Sequence, residues 1–295
     1  MQNNTIKREV EKTLSEKNGG PVVISSFNSI GGGCINNASK IETTIGIFFL
    51  KWNEKCEADI FIREAEGLQE LKRAAGDSLI IPEVFAAKQV DGTPGFLVLE
   101  FIENSRSSSD FEERLGRGLA KIHQFTNSQF GFYNNNYCGA TLQNNLWNKS
   151  WIEFFRDNRL QFLLNLIDKE RPLPVAEMVI YEKLLNRISG LIPNESVPVL
   201  IHGDLWSGNF MISDNGPALI DPASYYADRE MEFAIMTMFG GFSQKFYNAY
   251  SEVNPLPADW KHRNSLYQLY HVLNHYYLFG GGYRIQALQI AKSFI

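Results

Sequence analysis

Three oxygen-bearing side chains, Asp204, Asn209 and Asp221, fall within one stretch of the 295-residue chain, VLIHGDLWSGNFMISDNGPALID, from Val199 to Asp221. The stretch reads as an apolar strand, a polar loop holding Asp204 and Asn209 five positions apart, a turn at Asp214 to Pro217, and a second apolar strand ending at Asp221. The three side chains are therefore expected to converge at the ends of a hairpin. A hard cation such as Mg²⁺ takes oxygen ligands, and a hydroxyl that attacks a phosphate needs a carboxylate beside it. The trio thus suits phosphoryl transfer, with Asp204 as the base and Asn209 and Asp221 on the metal. Taken singly, Asp204 or Asn209 could instead cap a turn through a side-chain to backbone bond. It is the joint spacing that favours chemistry.

That spacing, Asp, four residues, Asn, a strand and a second Asp, matches the catalytic loop and metal-binding Asp of kinases in order and separation. A nucleotide site is expected upstream. Gly31, Gly32 and Gly33 offer backbone that can approach phosphates. Alone they are weak evidence, because glycine clusters are usually turns, and Asn36 stands where a third glycine of G-x-G-x-x-G would fall. Lys51 ends an apolar strand beyond the glycines and Glu64 follows on the next helical pattern. In kinases that order lets the lysine bind the α- and β-phosphates while the glutamate fixes it by ion pairing. Glu100, Phe101 and Ile102 would offer backbone groups to an adenine ring. Two departures point away from a peptide acceptor: Trp206 occupies the position of the protein-kinase lysine, and PASYYADREMEFAIM follows Asp221 in place of D-F-G and an activation segment.

These side chains need elements to carry them. Ile6 to Ser15 reads as a short helix, Val22 to Ile30 as a strand, and Lys40 to Lys51 as two strands turning near Gly46, with Ile47, Phe49 and Lys51 on one face. Ala58 to Ala75 is an amphipathic helix through Phe61, Ala65, Leu68 and Leu71, with Glu64 near the stripe. Strands are expected at Glu83 to Val90 and Gly95 to Ile102, before the polar link ENSRSSSD. Beyond it, helices are expected at Phe111 to Phe125, Lys149 to Asp168, Val175 to Leu191, Arg229 to Tyr250 and Trp260 to Tyr277, with a loop at Phe130 to Trp147. The expected class is α+β: a two-lobed, protein kinase-like fold with an N-terminal nucleotide-binding lobe at 1–102 and a C-terminal catalytic and substrate-binding lobe at 103–295.

With 44% apolar and 13% aromatic residues the chain can fill a substantial core, and its net charge of −5 offers no basic footprint for nucleic acid. No apolar run suggests a signal peptide or a membrane span, and Cys34, Cys56 and Cys138 are too scattered for a disulfide framework. A reducing, cytoplasmic setting is expected. Oligomeric state is not readable.

The stretches GGGCI, FFLKWN, LVLEFI, FGF, HGDLWSGNF, DPASYYADREMEFAIMTMFGGF and LYQLYHVLNHYYLFGGGY resemble the fructosamine kinase (ketosamine-3-kinase) family of the aminoglycoside and choline kinase-like superfamily, from Gly31 to Tyr283. The resemblance implies ATP- and Mg²⁺-dependent phosphorylation of the sugar 3-hydroxyl of a ketosamine, free or protein-linked, whose 3-phosphate decomposes and releases the amine. It places the base at Asp204, metal ligands at Asn209 and Asp221, and the nucleotide at the glycines, Lys51 and the Glu100 to Ile102 strand. Trp206, Trp147 and Tyr225 could form a sugar-facing wall or simply pack a core. His202 is expected to orient the loop backbone; His271 and His275, four apart, lack the Glu of a metal motif. Cys34, within the glycines, is a candidate for redox inhibition. The alternatives are a kinase of another hydroxylated amine, such as an aminoglycoside or choline, and a catalytically silent nucleotide-binding scaffold.

Overall fold

The structure, a computed structural model, describes residues 2–31, 36–105 and 109–295. Ile6, Val10 and Leu14, each four residues apart, line the buried side of helix α1 (Gln2–Asn18), which stops before Gly19 at φ 71°. Five antiparallel strands follow: β1 (Ile24–Ser29), β2 (Asn37–Thr43), β3 (Gly46–Asn53), β4 (Val84–Lys88) and β5 (Gly95–Glu100), in spatial order β1-β2-β3-β5-β4. Alternation along the strands divides the core. Ile41, Phe48, Leu50, Trp52, Ala86, Phe96 and Val98 face α1. Leu97 and Leu99 face the other way, toward helix α2 (Ile60–Ala75), whose Phe61, Ala65, Leu68 and Leu71 join a second core. Lys51 pairs with Leu97 and Phe49 with Leu99, so both lie on this second face.

The second core runs on without a break into the helical part: α3 (Phe111–Ile122), α5 (Phe162–Glu170), α6 (Val175–Arg187), α7 (Glu230–Met238), α8 (Gln244–Val253), α9 (Trp260–Phe279) and α10 (Tyr283–Lys292). This is the two-lobed architecture of the kinase-like phosphotransferases. Several local expectations are corrected. The long helix expected over Arg229 to Tyr250 is two helices, because Gly240 and Gly241 take φ 99° and 68° and Ser243 caps α8 by accepting from the Lys245 N–H. The helix expected at Lys149 to Asp168 begins as one turn, α4 (Trp151–Glu153), and passes through a π-helical stretch, Phe154–Gln161, before α5. The loop at Phe130 to Trp147 contains a short hairpin, β6 (Asn136–Cys138) and β7 (Thr141–Gln143). Helix α10 had no counterpart in the sequence reading.

Around the stretch from Val199 to Asp221, β8 (Val199–Ile201) pairs with β11 (Tyr225–Ala227), while β9 (Phe210–Ser213) and β10 (Gly216–Leu219) form the hairpin proper. The link after the sheet meets this hairpin, where the Ser105 N–H donates to the Ile212 carbonyl at 2.7 Å.

Candidate active site

The β9–β10 hairpin is closed at its open end by the Ile220 N–H, which donates to the Asn209 carbonyl at 3.0 Å. Asn209 therefore leaves one arm where Asp221 leaves the other. Asp221 takes φ 55°, the only non-glycine residue with positive φ among the described residues, in a region that Asp tolerates better than most side chains. Its Oδ1 meets Lys51 Nζ at 3.1 Å, and its side chain remains 42% exposed.

Asp204 lies in the loop between β8 and β9. The Asn209 Nδ2 group donates to Asp204 Oδ2 at 3.0 Å and to the Asp204 carbonyl at 2.8 Å, locking side chain and backbone together. Burial pushes the Asp204 carboxyl up to about 8; the hydrogen bond from Asn209 opposes this, while the charges of Asp221 and Glu232 reinforce it. His202 holds the approach to the loop. Its Nε2 lies 2.9 Å from the Ile220 carbonyl and its Nδ1 accepts from the Asp204 N–H at 3.3 Å, a pairing that requires the proton on Nε2. Gly203 has φ 83°, and a Cβ there would come within 2.3 Å of the Ala223 carbonyl, so glycine is required.

On the sheet side, Lys51 Nζ donates to Glu64 Oε1 at 3.0 Å and Oε2 at 2.9 Å as well as to Asp221. Burial alone would lower the Lys51 pKa, but Glu64 and Asp221 outweigh it and drive the net shift upward. Burial raises the Glu64 carboxyl in turn, against the pull of Lys51. One lysine thus ties the sheet, α2 and the hairpin together. Helix α2 is also held from the other lobe: Tyr137 donates to Asp59 at 2.7 Å, Asn134 to Glu66 at 3.2 Å, and Tyr226 to the buried Glu70 at 2.6 Å.

Gly31 sits in the segment joining β1 to β2; Gly32, Gly33 and Cys34 lie outside the described residues. Glu100 ends β5, and its N–H donates to the Glu83 carbonyl, while Phe101 lies under Lys40, 4.6 Å from Nζ to the ring centre. Phe101 and Ile102 lead from there into the link.

The expected aromatic wall is corrected. Tyr225 is 1% exposed, because β11 pairs inside the core and the Arg159 guanidinium covers its ring at 3.9 Å. Trp147 and Trp206 are each 36% exposed but belong to different clusters. Trp147 packs on Tyr133 and Tyr226, whereas Trp206 begins a run of rings through Phe239 and His275 to Phe279 and Tyr283. His275 Nδ1 lies 2.7 Å from the His271 carbonyl, and His271 is buried, so the two imidazoles do not form a metal pair.

Among the buried charged residues that sequence reasoning missed, Glu232 and Arg159 bear on the site. Glu232, fully buried on α7, accepts from the backbone N–H groups of His202 and Gly203. Arg159, 1% exposed in the π-helical stretch, donates to the Asn144 carbonyl and to Asn145 Oδ1, both at 2.7 Å, and so anchors the loop that carries Trp147. Neither carried a signal in the sequence: Arg159 follows Arg156, Asp157 and Asn158, and Glu232 follows Asp228, Arg229 and Glu230.

The site suits an oxygen-liking cation. With its Nδ2 spent on Asp204, Asn209 keeps its amide oxygen for a ligand, and the exposed Asp221 carboxylate stands across the hairpin mouth. No helix among the described residues is long and apolar enough to cross a membrane. The crystal structure of an aminoglycoside phosphotransferase with AMP-PNP and hygromycin B shares the fold at TM-score 0.61, with 14% identity and 97% and 98% of the two chains covered. A candidate fructosamine-3-kinase of Haemophilus somnus superposes at TM-score 0.85 with 26% identity, covering 97% of this chain and 96% of the other. The chloroplastic protein-ribulosamine 3-kinase of Arabidopsis thaliana is 38% identical over 279 residues, 92% of this chain and 83% of that protein. Residues 6–295 match the fructosamine kinase family. The chain is therefore a member of the fructosamine kinase family.

Proposed function

We propose that this protein transfers the γ-phosphoryl group of ATP to the sugar 3-hydroxyl of a ketosamine, a fructosamine or ribulosamine adduct of an amine or of a protein lysine, and so leads to deglycation. The observation that carries the reading is the double donation of Asn209 to Asp204. It consumes one carboxylate oxygen and fixes the plane of the group, leaving Oδ1 to receive the proton of the attacking hydroxyl. Lys51, paired with Glu64, would bind the α- and β-phosphates, and the segment at Gly31 together with Glu100, Phe101 and Ile102 would frame the nucleotide. Asn209 and Asp221 would hold Mg²⁺, which when bound neutralises charge on the β- and γ-phosphate oxygens. Asp221 would exchange its contact with Lys51 for the cation. Trp206, two residues from the base and half-exposed, would pack on the sugar. The product needs little further from the protein, since a phosphate ester beside a ketoamine carbonyl decomposes by its own chemistry. We place this activity in the cytoplasm and divide its parts between residues 1–102 and 103–295.

Magnesium-dependent ATP consumption over a panel of glycated lysines of different sugar length, with the native chain and Asp204→Asn, tests the reading. Turnover on a ketosamine with a loss of about 10²- to 10⁴-fold in the variant is expected. Turnover confined to aminoglycosides or choline, or ATP binding without any acceptor, would overturn it.

A further inference from the structure

The break between α7 and α8 borders a cavity of about 500 Å³ beside the loop that carries Asp204. Its floor is apolar: Phe111 at the start of α3, Phe210 of β9, Met236 of α7 and Phe242 just after Gly240 and Gly241. The rings hold one another. Phe210 lies 5.3 Å from Phe111 and 5.4 Å from Phe242, and Phe242 stacks on Phe246 at 4.6 Å, so the floor is set before anything enters. Two lining residues, Ser207 and Phe239, connect the cavity to the candidate active site. Ser207 follows Asp204 by three residues, which puts its Cα at most about 11 Å from that of Asp204. Phe239 packs on the Trp206 indole at 5.5 Å, and that indole lies over Gly208, where a Cβ would meet it at 2.5 Å. Neither Lys51 nor the Glu100 to Ile102 segment lines the space. Two charged side chains do. Glu112 is occupied by Ser243, whose N–H and hydroxyl both donate to it, whereas Lys245 is exposed and has no ion-pair partner among the described residues.

We propose that this cavity receives the residue that flanks a glycated lysine in a peptide or protein, with an apolar side chain on the aromatic floor and an acidic group of the same segment against Lys245. This rests on the proposed ketosamine phosphorylation with Asp204 as the base. With the sugar 3-hydroxyl at Asp204 and the sugar on Trp206, the single bonds from the sugar 3-carbon through the amine to the lysine Cα reach at most about 12 Å. The lysine main chain would then come to rest near Ser207 and Phe239, with the cavity in front of the next residue. A free glycated lysine ends at this point and leaves the floor uncovered. A preformed space with an apolar floor and a few polar groups at its rim is the form of a side-chain specificity pocket. Burying a leucine or phenylalanine side chain there should raise affinity about 10-fold. The charge of Lys245 adds a smaller preference, because an exposed ion pair is weak.

The test measures kcat/KM on end-blocked peptides carrying one ribulose- or fructose-modified lysine. The residues on either side of that lysine are Leu or Gly, and the next residues out are Asp or Lys. Wild type, Ser109→Trp and Lys245→Glu are compared. Ser109 is exposed and lines the cavity, so an indole there narrows it without disturbing the core. In the wild type the Leu peptides should exceed the Gly peptides about 10-fold and the Asp peptides should exceed the Lys peptides about threefold. Ser109→Trp should bring the first ratio to about one, and Lys245→Glu should invert the second. A wild-type Leu-to-Gly ratio of about one, with ketosamines turned over, overturns the subsite and leaves the proposed activity standing. So does a ratio that survives Ser109→Trp. If Ser109→Trp instead raises the KM for ATP equally with every peptide and keeps the ratio, the cavity serves the nucleotide and the proposal falls. Absence of turnover on every ketosamine overturns the proposed activity, and the subsite with it.

Discussion

The two faces of the five-stranded sheet pack against different helices and serve different ends. The outer face, through Ile41, Phe48, Leu50, Phe96 and Val98, closes on α1 and forms a core of its own. The inner face, through Leu97 and Leu99, closes on α2 and is continuous with the core of the helical lobe. Lys51 belongs to the inner face, and α2 carries its partner Glu64. Packing on the inner face therefore sets the geometry of the site, whereas packing on the outer face contributes stability alone.

The largest effect should come from the inner face's charge. Lys51→Met should lower kcat/KM for ATP by about 10²- to 10³-fold in protein that remains folded by circular dichroism. Next, Leu71→Ala in α2 should cost about 2–5 kcal/mol in urea unfolding and also raise the KM for ATP, because the helix that orients Glu64 loses its seat. Ile6→Ala in α1 should cost a similar 2–5 kcal/mol yet leave turnover per folded molecule unchanged. Equal kinetic damage from these two would collapse the distinction between the faces.

Titration probes the larger core by itself. Burial, with the nearby charges of His275 and Arg159, lowers the His271 pKa from 6.5 to about 3. Between those values the unfolded chain binds a proton that the folded chain refuses, so stability is fully present above about 6.5 and is lost as pH falls toward about 3. The slope from this group approaches about 1.4 kcal/mol per pH unit. His271→Gln should flatten the fall in melting temperature below pH 6.5; an unaltered profile would show that His271 is not the group concerned. The smallest effect is expected for Tyr137→Phe, which removes the hydroxyl that holds Asp59 at the start of α2. About 1 kcal/mol of stability and a slight rise in the KM for ATP should result, with no change at saturating ATP.

What was readable before the fold was known is what depends on neighbours in the chain. Asp204, Asn209 and Asp221 could be grouped because a loop and a hairpin bring them together locally, and the stripe through Phe61, Ala65, Leu68 and Leu71 marked α2 by its period. The single helix expected over Arg229 to Tyr250 failed because an apolar period continues through Gly240 and Gly241, whose left-handed backbone breaks it. Tyr225 looked as much like a sugar-facing ring as a core ring, since burial is decided by the partner strand β8 and by Arg159, far away in sequence. Glu232 looked like any other charge in a helix until the fold placed two backbone amides against it.

The sequence by itself determined the candidate set for the proposed chemistry: the order of glycines, Lys51, Glu64, Asp204, Asn209 and Asp221, and the alternation that puts Lys51 opposite the Phe48, Leu50 and Trp52 face. Only the tertiary structure decided which groups hold that chemistry still. Hydrogen bonds between Glu232 and Gly203, Tyr226 and Glu70, and Tyr137 and Asp59 join residues distant along the chain. Their strength depends on distance and burial, which no local spacing encodes.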